Sequence, residues 1–132
     1  MSAHSTDISV HARTAELPTL LETMAARAVE LGIAADDAVR LQLIAEELFA
    51  NTIAHGHRGD SDGIVTLSLQ HCDAVSTLHY EDDAPPFDIS KIGQKFASTA
   101  EIGGLGISLI RGMSKALRYE RQGRLNITEV DL

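Results

Sequence analysis

Glu47, Asn51 and His55 stand four residues apart in the run Glu46-Glu47-Leu48-Phe49-Ala50-Asn51-Thr52-Ile53-Ala54-His55-Gly56. In a helix each step of four overshoots a full turn by about 40°, so the three side chains share one polar face. A glutamate there can act as a general base. An asparagine amide oxygen is a hard ligand suited to Mg2+. The plain alternative is a solvated helix face.

Two further runs could carry chemistry. Glu81-Asp82-Asp83-Ala84-Pro85-Pro86-Phe87-Asp88 follows a strand-like segment. Carboxylates at a strand end can accept from an amino group or hold a cation; a polar turn is the bland reading. Gly103-Gly104-Leu105-Gly106-Ile107-Ser108-Leu109-Ile110 reads as a glycine-rich turn feeding a helix. Free N–H groups at a helix start favour phosphate, and glycine lets the backbone approach closely. No strand directly precedes this run, and it lacks the third glycine of the dinucleotide fingerprint and the Gly-Lys-Ser/Thr of a Walker loop. His55-Gly56-His57 offers only two close metal ligands, where zinc takes three or four. The single cysteine, Cys72, excludes an internal disulfide.

The elements that must position these residues follow from periodicity. Ser5 to His11 alternates as a short strand. Leu17 to Leu31 carries Leu20, Leu21, Met24, Ala28 and Leu31 at helical spacing, and Gly32 stops it. A second helix capped by Asp36 or Asp37 runs to about His55, with Val39, Leu43, Ile44, Leu48 and Ile53 as its core stripe. Ile64–Leu69 and Val75–Tyr80 form a hairpin turning at His71-Cys72-Asp73. Ala84-Pro85-Pro86 must leave the sheet. Residues 87–102 read as a mobile loop, and Gly103–Gly106 opens a third helix to about Leu117. Leu117–Glu120 and Leu125–Val130 close the chain as a hairpin around Gly123. The order predicts an α/β two-layer sandwich, a mixed, mostly antiparallel sheet with helices on one face.

Composition bounds the function. The 132 residues, 44% hydrophobic and 23% charged, suit one globular domain over 1–132. A net charge of −8 argues against a nucleic-acid partner, which needs clustered positive charge. No apolar run reaches the roughly 20 residues that span a bilayer, and the first residues lack an apolar signal core. No membrane partner and a cytoplasmic location are expected. Arg111, Lys115, Arg118, Arg121 and Arg124 gather near the end of the chain. They form either a solvated face or a docking patch for an acidic protein.

Taken in order, Glu-x-x-x-Asn-x-x-x-His-Gly, then a strand ending Asp-x-Ala-x-x-Phe-Asp, then Gly-Gly-Leu-Gly-x-x-Leu-Ile resembles the GHKL (Bergerat) ATP-binding fold. Within it the chain is similar to the anti-sigma-factor serine/threonine kinases, from about residue 8 to the end. The resemblance implies ATP and Mg2+ as cofactors. It makes Glu47 the catalytic base, Asn51 the Mg2+ ligand and Asp82 the acceptor for the adenine amino group. It sets His55, Ala84, Phe87, Gly103 and Leu105 in the nucleotide site, with Gly104 and Gly106 beside the phosphates and residues 88–103 as a lid. Ala84 stands where the family often has glycine, so its methyl group either tolerates the local φ/ψ or crowds adenine. The implied partners are a STAS-domain anti-sigma-factor antagonist, which carries the phosphorylated hydroxyl, a sigma factor or comparable target, and a second copy in a homodimer. A GHKL module that binds nucleotide and partner without transferring phosphate is the other reading. A third is an α/β scaffold that uses no ATP.

Overall fold

Strand β1 (Ile8–His11) buries Ile8 and Val10 and turns Ser9 and His11 outward. In the computed structural model, which describes residues 7–88, 110 and 112–132, a short 3₁₀ turn then leads into helix α1 (Leu17–Leu31). Pro18 sits in the first turn of α1, where its missing N–H costs nothing. Leu20, Met24 and Ala28, each four apart, form its buried face. Gly32 ends it at φ 76, a left-handed conformation that glycine adopts without strain. Ile33 folds back through its N–H onto the Ala28 carbonyl and enters the core.

Helix α2 (Ala35–Asn51) starts at Ala34, with no side-chain cap. Asp36 and Asp37 instead occupy its first turn, where the helix dipole favours negative charge. Its core stripe also differs from the sequence expectation. Leu41, Ile44, Ala45, Leu48 and Phe49 are buried, whereas Val39 and Leu43 face solvent. After Asn51 the helix widens into a π turn over Thr52–Gly56. The His57 N–H reaches back five residues to the Thr52 carbonyl. The Thr52 hydroxyl lies 3.0 Å from the Leu48 carbonyl, a contact that competes with regular helix bonding.

Strands β2 (Ile64–Cys72), β3 (Val75–Asp82), β4 (Ala116–Gln122) and β5 (Leu125–Asp131) complete a sheet of order β1-β2-β3-β5-β4. Every neighbouring pair is antiparallel, so among the described residues the sheet is antiparallel rather than mixed. The β2–β3 hairpin turns at Asp73-Ala74, later than the sequence suggests, because Cys72 still pairs with Val75. Both turn residues hold positive φ, 52 and 64, as a two-residue hairpin requires.

Both helices pack on one sheet face. Val65, Leu67, Leu69, Leu78 and Val130 meet Leu20, Met24, Leu41, Ile44, Leu48 and Phe49 there. Ile110, fully buried, joins the same cluster. The expected third helix falls mostly outside the described residues; Ile110, Gly112 and Met113 are helical, and the chain is already strand by Ala116. Among the described residues no helix covers the other sheet face. Across it His79 sits between Glu129 and Glu81, at 2.9 and 2.7 Å, and Arg118 pairs with Glu129 and Asp131.

Candidate functional site

A cleft opens where the end of α2 meets the ends of β3 and β5. Asn51, Thr52 and Gly56 form one wall; Asp82, Ala84 and Phe87 form the other. Leu48, Tyr80, Asn126 and Thr128 make the floor. The alternation of β3 explains how Asp82 comes to face inward: Leu78, Tyr80 and Asp82 share the buried phase.

Asp82 is only 8% exposed, and three donors hold it. Its Oδ1 accepts from Asn126 Nδ2 at 2.8 Å and from the Ala84 N–H at 3.1 Å. Its Oδ2 accepts from the Thr52 hydroxyl at 2.8 Å. Burial raises the Tyr80 phenol well above its ordinary pKa; the Thr52 hydrogen bond opposes this, and the Asp82 charge adds a smaller rise. With the Thr52 proton donated to Asp82 Oδ2, the Tyr80 hydroxyl donates to Thr52 Oγ1 at 2.7 Å. An ionised carboxylate has about four acceptor sites. Among the described residues Oδ1 is filled and Oδ2 keeps one site open, so Asp82 presents a free acceptor to a ligand donor.

Asn51 is 6% exposed, yet its Nδ2 has no partner among the described residues. Leaving such a group unpaired costs about 1–3 kcal/mol, and a polar ligand in the cleft would relieve it. Glu47 lies one turn earlier on α2, half-buried and outside the cleft lining. Burial, with a contribution from neighbouring Glu46, raises its pKa above the ordinary glutamate value. Glu46 itself is exposed.

Gly56 and Ala84 face each other across the cleft. A Cβ on Gly56 would lie 2.6 Å from the Ala84 Cβ. The Ala84 methyl therefore fits because Gly56 has none, and it is buried against that glycine.

The structure thus brings Asn51, Asp82, Ala84 and Phe87 together. His55 lies in the π turn and is exposed, its ring parallel to that of Phe87 at 6.1 Å between centroids. Gly103, Gly104, Leu105 and Gly106, and the 88–103 lid beyond Asp88, lie outside the described residues. Among the described residues no cluster of histidine, cysteine and carboxylate groups could hold a metal ion. Two of the five residues of the basic patch are engaged within the chain. Arg118 pairs with Glu129 and Asp131, and Arg121 donates to the Ala84 and Gly123 carbonyls; Arg111 lies outside the described residues.

Sequence reasoning misses Thr52, Tyr80, Asn126 and Thr128. Asn126 and Thr128 alternate with Leu125 and Ile127, and the polar pair takes the inward phase together with Val130.

A histidine kinase-like ATPase domain family matches residues 10–131. No curated protein matches the chain. Several solved structures share the fold. The histidine kinase domain of a blue-light activated histidine kinase from Erythrobacter litoralis EL346 aligns at TM-score 0.55 and 19% identity, over 88% of this chain and 60% of that one. Histidine kinase AdeS of Acinetobacter baumannii aligns at 0.53 and 14%, over 98% of this chain and 68% of that one. The catalytic domain of histidine kinase ThkA aligns at 0.57 and 12%, over 97% of this chain and 95% of that one. The chain spans less than two thirds of the first of these.

Proposed function

The chain belongs to the histidine kinase-like ATPase domain family, and from that premise we propose that it is an ATP- and Mg2+-dependent serine/threonine kinase acting as an anti-sigma factor. Its substrate is a hydroxyl on a STAS-domain anti-sigma-factor antagonist. Its other partner is a sigma factor or comparable target, and it works as a homodimer in the cytoplasm. No helix among the described residues is long and apolar enough to cross a membrane.

One observation supports the nucleotide reading: a cleft lined by Asp82, whose Oδ2 keeps an acceptor site open among the described residues, and by Asn51, whose buried Nδ2 has no partner there. The acceptor suits the amino group of adenine. Asn51 suits Mg2+, which its amide oxygen would hold and which neutralises phosphate charge when bound. Glu47, raised by burial, is better matched to taking a hydroxyl proton near neutral pH than an ordinary glutamate. As the hydroxyl oxygen bonds to the γ-phosphorus, its proton goes to the Glu47 carboxylate and ADP departs.

The experiment is incubation with ATP, Mg2+ and a STAS-domain partner, followed by intact-mass measurement. One added phosphoryl group on the partner is expected. ATP binding without transfer would instead favour the non-catalytic module, and absence of any nucleotide-induced thermal shift would overturn the nucleotide reading altogether.

A further inference from the structure

Resting on the nucleotide reading above, we infer that Asn126 is a positioning residue that fixes the open acceptor of Asp82 and so sets the choice between purine bases. Asn126 is 4% exposed on β5, within the cleft floor. Its Nδ2 donates to Asp82 Oδ1 at 2.8 Å, to the Ala84 carbonyl at 3.1 Å and to the Pro85 carbonyl at 3.0 Å. Its Oδ1 accepts from the Phe87 N–H at 3.2 Å and from the Tyr119 hydroxyl. Three acceptors face one end of the amide and two donors face the other, so its orientation is set. A flipped amide would set oxygen against three oxygens.

The consequence falls on Asp82. Asn126 and the Ala84 N–H together saturate Oδ1, which pins the carboxylate plane and leaves the vacancy on Oδ2. The same amide anchors the wall from Ala84 to Phe87, and Arg121 adds a bond to the Ala84 carbonyl at 2.8 Å. The β4–β5 hairpin therefore holds the base-binding wall in place, with Asn126 as the joint. A pinned acceptor accepts an amino group and opposes a carbonyl oxygen. A freed carboxylate can turn to meet the ring N–H of an oxo-purine.

Calorimetry with Mg-ATP and Mg-ITP tests this, because the two differ at the amino position. The parent should prefer ATP. In Asn126→Ala the ATP-to-ITP affinity ratio should fall by roughly tenfold or more, as the site loses its fixed polar partner. Tyr119→Phe, which removes one of the two donors to the Asn126 Oδ1, should lower the same ratio less; it carries the test if Asn126→Ala does not fold. Asn126→Asp supplies a readout that a merely structural role would not move. The groups facing that position are Asp82 from β3, with Thr52 and Tyr80 behind it, and Tyr119 and Arg121 from β4. Two carboxylates in contact share one proton, so ATP affinity of this variant should fall as pH rises from about 5.5 to 8 while the parent stays flat. An unchanged ratio in folded Asn126→Ala or Tyr119→Phe, or a flat profile in Asn126→Asp, overturns the inference. A parent that binds neither nucleotide overturns the nucleotide reading, and this inference falls with it.

Discussion

Replacing Gly56 with alanine sets two known effects against each other, and the structure decides which wins. Gly56 lies in the π turn and is absent from the positive-φ glycines Gly32, Gly59 and Gly123. An added methyl there should therefore stabilise the helical backbone, by about 0.5–1 kcal/mol. That methyl would also lie 2.6 Å from the Ala84 Cβ, well inside van der Waals contact. Ala84 is 1% exposed and the Asp82, Asn126 and Arg121 bonds hold its backbone, so it has little room to withdraw. Overpacking of this kind costs about 1–3 kcal/mol. The clash should exceed the backbone gain, and Gly56→Ala should destabilise by up to about 2 kcal/mol.

Ala84→Gly alone should also destabilise, by about 1 kcal/mol, through loss of a buried methyl group and gain of unfolded-state freedom. In the double variant the clash is gone and the helical gain at residue 56 remains. Its cost should be smaller than the sum of the two single costs by about 1–3 kcal/mol. Urea unfolding followed by circular dichroism on all four proteins measures that coupling. Gly56→Ala as stable as the parent, or a cycle additive within about 0.5 kcal/mol, would refute the claim that these residues share one space.

Four other outcomes follow from the same geometry. Asp82→Asn should weaken ATP binding at least about tenfold by calorimetry, since it places an amino group where a ligand amino group needs an acceptor; equal affinity would overturn the assignment. Glu47→Gln should slow phosphoryl transfer by roughly 10²–10⁴ with ATP affinity little changed, and in the parent single-turnover rates should rise with pH through a midpoint above the ordinary glutamate value. A parent-like rate in the variant would remove the base role. Ala74→Gly should raise stability by about 0.5–1 kcal/mol, because φ 64 strains alanine and not glycine; an unchanged urea midpoint would contradict this. For His79, burial lowers its pKa but hydrogen bonds and charge from Glu129 and Glu81 outweigh that, leaving it raised. Its contribution to stability is then fully present below the unfolded value near 6.5 and is lost as pH rises through the higher folded value, so the stability difference between parent and His79→Gln should shrink across that range.

Much of the frame is legible because single residues dictate it. Gly32 stops α1 where its left-handed φ is needed, and the spacing of Leu20, Met24 and Ala28 gives the buried face. Asp82 is legible because the alternation from Leu78 and Tyr80 carries it inward. The phase of α2 is not: Leu43 is as apolar as Leu41, and only packing against α1 and β3 decides that Leu41 goes in and Leu43 out. Nor does any local preference announce the π turn over Thr52–Gly56.

Strand β5 shows why half the site stays hidden from a residue-by-residue reading. Hydrophobic alternation taken alone would turn Leu125 and Ile127 inward and leave Asn126 and Thr128 in water. Pairing fixes the opposite phase, since Asn126 lies opposite Asp82 and Thr128 opposite Tyr80 on β3. With that register Val130 still reaches the core, so the strand exchanges apolar burial near the cleft for hydrogen bonds at Asp82. Burying an aspartate among aliphatic side chains would cost far more than two half-exposed apolar residues lose. The demand of Asp82 for donors therefore sets the phase of its neighbour. Such a demand cannot be seen in β5 itself; it becomes visible only once β3 and β5 are known to lie side by side.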